Sequence, residues 1–213
     1  MTQLNPTLFP VEFRELRERL FHLLLKYSYE WREEPFRLKS GAMSNMYVDC
    51  RMTTLQAEGS YLIGRLFHHF TATYAPMARG VGGLTMGADP IVCSVTSASY
   101  QSNNPLISAG YLVRGEAKNH GKNGMVVGPK YLGRDEEVVV VDDVITSGNS
   151  MLEATRELRG ERGFRVKLAL ALVDRQEQDG LANIAKEVDK IITLFTLTEL
   201  KNGQPDHVRF MDC

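Results

Sequence analysis

The hydrophobic residues follow two different patterns along the chain. In residues 11–31 and again in Leu55–Tyr74, apolar positions recur every three or four residues with polar residues between them, which predicts two amphipathic helices. Beyond these, short apolar segments alternate with glycine-rich turns and helical stretches. This repeated order of strand, turn and helix predicts a doubly wound α/β fold: a mostly parallel, twisted sheet flanked by helices.

The elements after the second helix are short and regularly spaced. Strands are predicted at Ala78–Val81, Leu106–Val113, Val138–Val141, Val166–Val173 and Lys190–Leu197. The third of these is continuously β-branched, which is typical of a parallel strand buried on both faces. Helices are predicted at Ala88–Tyr100, Ser150–Arg162 and Leu181–Val188. We expect one domain over residues 1–213, in which residues 1–50 and the C-terminal segment form a small hood over the core.

Composition and charge exclude several classes of protein. The chain has 25 Lys and Arg against 26 Asp and Glu, a net charge of −1, so we expect neither a nucleic-acid nor a membrane partner. The apolar runs are far shorter than the ~20 residues that cross a bilayer, and the first residues lack the pattern of a secretory signal. Three cysteines without zinc-site spacing are typical of a reduced, cytoplasmic protein.

The stretch Val138–Ser150 carries the clearest chemistry. Four valines lead to Asp142 and Asp143, and a small, hydroxyl-rich turn then leads into the helix predicted to begin near Asn149. Backbone N–H groups in such a turn, joined to a helix N-terminus, suit a phosphate monoester. Ionised carboxylates only accept hydrogen bonds, so the acid pair suits the vicinal hydroxyls of a sugar. The segment therefore favours a ribose 5-phosphate.

The alternative is an acid pair that caps an ordinary turn. That would explain an isolated Asp-Asp, but it does not explain why strand, acid pair, turn and helix start follow in this order. The segment closely resembles the 5-phosphoribosyl-1-pyrophosphate (PRPP) binding motif of type I phosphoribosyltransferases.

A second segment, Arg114–Gly124, is polar, glycine-rich and basic. Such a loop can close over a charged ligand, exclude water and neutralise a departing pyrophosphate. By itself it would be read as a solvated surface loop. Its order Arg-x-x-x-Lys-x-His-Gly is similar to the catalytic loop of orotate phosphoribosyltransferases.

Two further segments support this resemblance. Residues 36–41, Ser44 and Met46–Asp49 resemble the family's N-terminal segment, and Val173–Arg175 resembles its Asp-Arg pair. The resemblance runs from about residue 12 to about residue 200, with the motifs in family order. Alone, Lys39 would be read as a surface charge, and Arg175 as the partner of a neighbour such as Glu177.

The resemblance implies transfer of the phosphoribosyl group from PRPP to orotate in pyrimidine synthesis. It implies a catalytic set of Arg114, Lys118, His120 and Asp143. It implies PRPP contacts at Lys39, Thr85, Met86, Arg114, Lys118, His120, Asp142, Asp143, Val144, Ile145, Thr146, Ser147, Gly148, Asn149 and Ser150. It implies orotate contacts at Lys39, Tyr47, Val48, Thr146 and Arg175. It also implies Mg²⁺ held mainly by PRPP and water, and a homodimer in which residues 114–124 act across the interface.

Two positions depart from the family pattern. Met86 stands where many members carry a lysine, and Gly115 where many carry a second basic residue, so pyrophosphate binding is expected to depend more on backbone amides and Mg²⁺. Two other functions stay open: transfer to a different base, and a regulator that senses nucleotides and binds RNA or DNA. Lys39 and Arg175 favour orotate, because a guanidinium holds a planar carboxylate well. The basic loop argues against a regulator without activity.

Overall fold

The computed structural model describes residues 2–4, 10–37, 43–115, 124–206 and 208–213. Strands of the main sheet are β1 (Thr2–Leu4), β4 (Ala78–Leu84), β5 (Ala109–Val113), β6 (Val126–Val127), β7 (Glu137–Ile145), β8 (Arg165–Asp174), β9 (Lys190–Thr196) and β10 (Val208–Asp212). A separate antiparallel hairpin consists of β2 (Tyr29–Arg37) and β3 (Met43–Val48). The helices are α1 (Val11–Leu23), α2 (Arg51–Thr54), α3 (Ala57–Tyr74), α4 (Asp89–Gln101), α5 (Asn149–Arg162), α6 (Gly180–Ile184) and α7 (Leu197–Asn202).

The strand order of the main sheet is β1-β10-β9-β8-β7-β4-β5-β6. The five strands from β9 to β5 run parallel to one another, and the antiparallel pairs lie toward the two edges. From β4 the chain passes to β5 on one side and then crosses to β7 on the other. This reversal is a topological switch point, where ligands of open α/β sheets bind beyond the carboxyl ends of the strands. The predicted fold class is confirmed.

Helices cover both faces of the sheet. On one face, Val139 and Val141 of β7 pack in a core that includes side chains of α1, α3 and α4. On the other, Val138 and Val140 pack in a second core with side chains of α5 and α6. The predicted burial of this valine run on both faces is confirmed, and it fixes the position of the residues that follow it.

The first helix ends earlier than its apolar period indicates. Regular α-helix stops at Leu23, residues 24–28 form a π-helical turn, and β2 begins at Tyr29. Contacts with a later segment explain the change: the Ser28 hydroxyl lies 2.7 Å from that of Thr53, and its carbonyl accepts from the N–H of Asp49 at 2.9 Å. Tertiary hydrogen bonds therefore override the local helical pattern.

The terminal segments also differ from the expected hood. The hairpin β2–β3 is separate from the main sheet, but β10 and β1 extend that sheet as antiparallel edge strands. The C-terminal strand thus belongs to the sheet rather than to a hood. The last predicted helix is regular only over Gly180–Ile184. No helix among the described residues combines the length and apolar character needed to cross a membrane.

Candidate active site

The carboxyl ends of four parallel strands bring the predicted site residues to one edge of the sheet. The N–H of Thr85, just after β4, donates to the carbonyl of Val113 at 2.8 Å, which places Arg114 beside the β4 turn. The N–H of Arg175, just after β8, donates to the carbonyl of Ile145 at 2.9 Å. Residues that are distant in sequence therefore meet around the switch point between β4 and β7.

Asp142 and Asp143 lie at the centre of this edge. Strand β7 continues through the pair to Ile145, so the turn begins at Thr146 rather than at the acids. Asp142 is only 6% exposed, and its Oδ1 accepts the N–H of Asp143 at 2.9 Å. Burial, and then the neighbouring carboxylate, raise the pKa of Asp142 well above its ordinary value; burial also raises that of Asp143. The pair is thus a concentrated acceptor of hydrogen bonds and positive charge.

The turn after β4 packs directly on the acid pair. A Cβ atom added to Gly87 would lie 2.6 Å from Oδ1 of Asp143 and 3.2 Å from Oδ1 of Asp142. Only glycine permits this approach. The Thr85–Met86 peptide bond is cis, and Met86 is 67% exposed. The structure thus places the predicted pyrophosphate turn against the predicted ribose acids.

The predicted phosphate turn leads into α5 as expected. Gly148 is the N-cap in a left-handed conformation with φ +79°, and the helix begins at Asn149. The N-cap residue provides no side-chain cap, the hydroxyl of Ser147 accepts a long hydrogen bond of 3.4 Å from the N–H of Asn149, and the first turn contains no acidic residue. The first N–H groups of a helix lack internal partners and carry the positive end of its dipole. The end of α5 therefore has the chemistry of an anion site.

Support for this turn comes from α6, which was not predicted as part of the site. Asn183 Nδ2 donates to the carbonyl of Ser147 at 3.1 Å and to that of Gln178 at 3.2 Å. A Cβ on Gly180 would lie 2.3 Å from the carbonyl oxygen of Thr146. The Asp-Gly pair at 179–180 indicates a turn, but nothing in the local sequence indicates what that turn contacts.

Not every predicted PRPP residue offers a side chain. Ile145 is buried and packs in the core with α5, and Val144 packs against the other core, so only their backbones are available to a ligand. Asn149 and Ser150 are exposed at the start of α5. Binding at residues 144–150 would therefore rest mainly on backbone groups.

Arg175 is buried and already has a partner. Its Nε and Nη2 donate to the two carboxylate oxygens of Glu177 at 3.2 and 3.1 Å. The salt bridge that the sequence left open is thus present. It does not exclude a ligand, because a guanidinium has five N–H donors.

Two residues of β3, Tyr47 and Val48, were predicted to line the orotate pocket, and the structure places their side chains on opposite sides of the strand. Tyr47 is exposed, with the guanidinium of Arg32 5.4 Å from its ring centre, whereas Val48 packs against the core. Successive side chains of a strand face opposite sides, so the side chain of Val48 is not on the open side with Tyr47. Lys39, Lys118 and His120 lie outside the described residues.

Comparisons with known proteins bear on the family of this chain. The model of the phosphoribosyl transferase domain family matches residues 96–205. The orotate phosphoribosyltransferase of Aquifex aeolicus is 40% identical over 185 residues, which cover 86% of this chain and 97% of that protein. That of Thermosynechococcus vestitus is 40% identical over 187 residues, with coverages of 88% and 94%.

Solved structures agree as well. The crystal structure of Mycobacterium tuberculosis orotate phosphoribosyltransferase has a TM-score of 0.70 and 31% identity to this chain, and the match covers 87% of this chain and 98% of that one. An adenine phosphoribosyltransferase from Leishmania tarentolae, at 17% identity and a TM-score of 0.57, shares the fold alone. With its motifs, fold and relatives in agreement, this chain belongs to the orotate phosphoribosyltransferase family.

Proposed function

We infer that this chain transfers the 5-phosphoribosyl group of PRPP to orotate and releases pyrophosphate, which yields orotidine 5′-monophosphate in pyrimidine biosynthesis. The observation that carries this conclusion is the N-terminus of α5, free of acidic residues in its first turn, which follows the acid pair Asp142–Asp143 in a chain 40% identical to named orotate phosphoribosyltransferases. A relative from Mycobacterium tuberculosis, 27% identical to this chain, has been solved in complex with PRPP.

The reaction breaks one bond and forms another at C1 of the ribose. The C1–O bond breaks and its electron pair leaves with pyrophosphate, while a ring nitrogen of orotate gives up its proton to solvent and supplies the pair for the new C1–N bond. Positive charge develops on the sugar, as in glycoside hydrolysis. Asp142 and Asp143 would hold the ribose hydroxyls close to this charge, and the first turn of α5 would hold the 5-phosphate.

The leaving group and the base need other residues. We assign stabilisation of pyrophosphate to Arg114, Lys118 and His120, because cations placed where negative charge develops lower the barrier. Lys39 and Arg175 would orient the carboxylate of orotate, with Tyr47 on the exposed side of the hairpin beside it.

Mg²⁺ fits the chemistry of the acid pair. Buried Asp142 and half-buried Asp143, both with raised pKa values, favour a nearby positive charge. Mg²⁺ usually keeps several waters and binds through one or two carboxylates plus substrate phosphates. We therefore propose that PRPP and water hold the ion, with this pair as the nearest protein acceptors, and that when bound it neutralises charge on pyrophosphate. Met86 and Gly115 supply no such charge.

We also propose a cytoplasmic homodimer in which residues 114–124 act in the partner's site. Several large apolar side chains on the hairpin and the two helices after it are exposed, as an interface between two copies would require. They are Trp31, Met43, Met52, Leu55 and Tyr61. The cysteines of the described residues are free, which suits a reducing compartment.

A panel of bases tests the proposed reaction. Purified protein with PRPP and Mg²⁺ should consume orotate, and should leave adenine and hypoxanthine unchanged. Lys118→Ala should reduce turnover greatly with the fold intact by circular dichroism, and undiminished turnover would remove Lys118 from the mechanism. Transfer to a purine but not to orotate, or retention of labelled RNA at physiological salt without turnover, would contradict the proposal.

A further inference from the structure

Glu177 occupies one edge of the Arg175 guanidinium. The carboxylate accepts from Nε at 3.2 Å and from Nη2 at 3.1 Å, which is a side-on, two-point pair. The Arg175 side chain is 8% exposed and that of Glu177 is 30% exposed. Among the described residues, no acceptor contacts Nη1. The Nη1–Nη2 edge therefore keeps donors for a second planar carboxylate.

The backbone around Glu177 is held in an unusual conformation. Gln176, Gln178 and Asp179 have φ values of 60°, 53° and 52°, a left-handed region that side chains other than glycine adopt at a cost in free energy. Such residues persist where the surroundings determine their conformation, and they cluster at functional sites. Three such residues within four positions indicate that the surrounding structure fixes the conformation of the turn after β8.

Hydrogen bonds hold this turn from two sides. The N–H of Gln176 donates to Oδ1 of Asp174 at 2.8 Å, and its side-chain Oε1 accepts from the hydroxyl of Thr198 at 2.6 Å. On the other side, Asn183 bonds to both Gln178 and the phosphate turn at Ser147. Asn183 therefore links the turn that carries the Arg175–Glu177 pair to the turn before α5.

We propose that Glu177 is a positioning residue for recognition of the orotate carboxylate. Its carboxylate fixes the Nε–Nη2 edge of Arg175, so that the adjacent Nη1–Nη2 edge is presented to the substrate with little loss of side-chain freedom on binding. Groups that orient a binding residue from behind are common around ligand sites. This inference rests on the proposed role of Arg175 in binding orotate.

An alternative role for Glu177 predicts the opposite change in orotate affinity. If Glu177 merely occupied Arg175 until orotate displaced it, removal of its charge would free the arginine and strengthen orotate binding. If the ion pair only stabilised the turn, its loss would lower the unfolding temperature and change the KM values of both substrates together. Steady-state kinetics distinguishes the three roles.

Glu177→Gln keeps the size of the side chain and removes one charged acceptor. We expect the KM for orotate to rise roughly tenfold, the effect of one lost charge-assisted hydrogen bond, with kcat and the KM for PRPP changed by less than about twofold. Glu177→Asp, which keeps the charge, should recover part of the affinity. Glu187→Gln is the matched control, because Glu187 pairs with Arg156 and Arg159 away from the substrate edge.

Arg175→Lys separates failure of this inference from failure of the proposed role of Arg175. If the lysine variant raises the orotate KM but Glu177→Gln leaves it unchanged or lowers it, the positioning role is wrong and the role of Arg175 stands. If the lysine variant leaves the orotate KM unchanged, both the orotate-binding role of Arg175 and the positioning role of Glu177 are wrong. A rise of both KM values to the same extent in Glu177→Gln would likewise overturn the positioning role.

Discussion

The backbone N–H of Asp143 donates a 2.9 Å hydrogen bond to Oδ1 of Asp142, so a buried and a half-buried carboxylate are held together near the end of β7. Burial is the largest cause of the raised pKa of each, and for Asp142 the charge of Asp143 adds to it. A fold that keeps such a pair gives up stability at a site where activity needs the charges. This relationship makes stability and activity respond in opposite directions to the same substitution.

Asp143→Asn should stabilise the ligand-free protein and abolish most of its activity. Burial raises the pKa of both acids, and the amide removes one charge from the pair. We therefore expect the free energy of unfolding to rise at pH values above the raised folded pKa of Asp143. Thermal unfolding at pH 8 without PRPP or Mg²⁺ measures this rise as a higher midpoint temperature than that of the native chain.

The pH dependence of this gain follows from the direction of the pKa values. A carboxyl whose folded pKa lies above its unfolded value, near 4, favours the folded state while protonated; that advantage is lost as the pH rises through the folded pKa. The advantage of Asp143→Asn over the native chain should therefore be small near pH 4 and grow toward neutral pH. Exposed Asp212→Asn should show no such gain. A gain that is largest at pH 4 would contradict the raised pKa.

Asn183→Ala should weaken PRPP binding more than orotate binding, because it releases the phosphate turn at Ser147 but removes only one of the contacts of the turn that carries Glu177. The substitution removes the hydrogen bond to the Ser147 carbonyl, which holds the phosphate turn at the start of α5. A neutral hydrogen bond contributes about 0.5–1.5 kcal/mol, so the KM for PRPP should rise about three- to tenfold. Asn45→Ala is the control, because Asn45 also donates to two backbone carbonyls, those of Arg32 and Glu33, but on the hairpin. An unchanged PRPP KM in Asn183→Ala would show that α6 does not support the turn.

Structural features that depend on one continuous segment are the ones best predicted from the sequence. The valine run of β7, the acid pair, the turn and the start of α5 follow one another from Val138 to Ser150, and their local chemistry specifies strand, sugar site and phosphate site in order. The structure confirms the buried strand and the helix start at Asn149, but it extends β7 through the acid pair to Ile145, and the sugar and phosphate sites stay predictions. The Glu177 partner of Arg175 was likewise visible, because it lies only two positions away.

Contacts between distant segments were not predictable in the same way. Asn183 supports Ser147 across 36 positions of the sequence, and Ser28 meets Thr53 across 25. Neither partner carries a pattern that points to the other. The π-helical turn at 24–28 and the edge strand β10 depend on such long-range pairing, so helical period and apolar runs alone placed these segments incorrectly or left them out.

Met86→Lys tests the missing positive charge at the turn after β4. Met86 is exposed and precedes Gly87, which lies against the acid pair, so we expect a lysine there to remain solvated and to reach toward a bound pyrophosphate. We expect the KM for PRPP to fall about three- to tenfold at low salt, and less at high salt, because exposed charges are screened. Met77→Lys is the control, since Met77 is equally exposed but lies at the amino end of β4. An equal fall of the PRPP KM in both variants would show that the net charge of the protein, rather than the position of Met86, causes the effect.

Mixed dimers test whether residues 114–124 act in the partner's site. A Lys118→Ala chain and an Arg175→Ala chain should each be nearly inactive alone. If Lys118 of one copy acts at the site that contains Arg175 of the other, each heterodimer has one intact site. Random mixing of equal amounts of the two chains makes about half of the dimers heterodimers. Co-expression with two affinity tags and tandem purification isolates the heterodimer for the orotate assay. If the heterodimers are as inactive as either parent, Lys118 acts in the site of its own chain. A molecular mass in solution equal to that of one chain would contradict the proposed dimer.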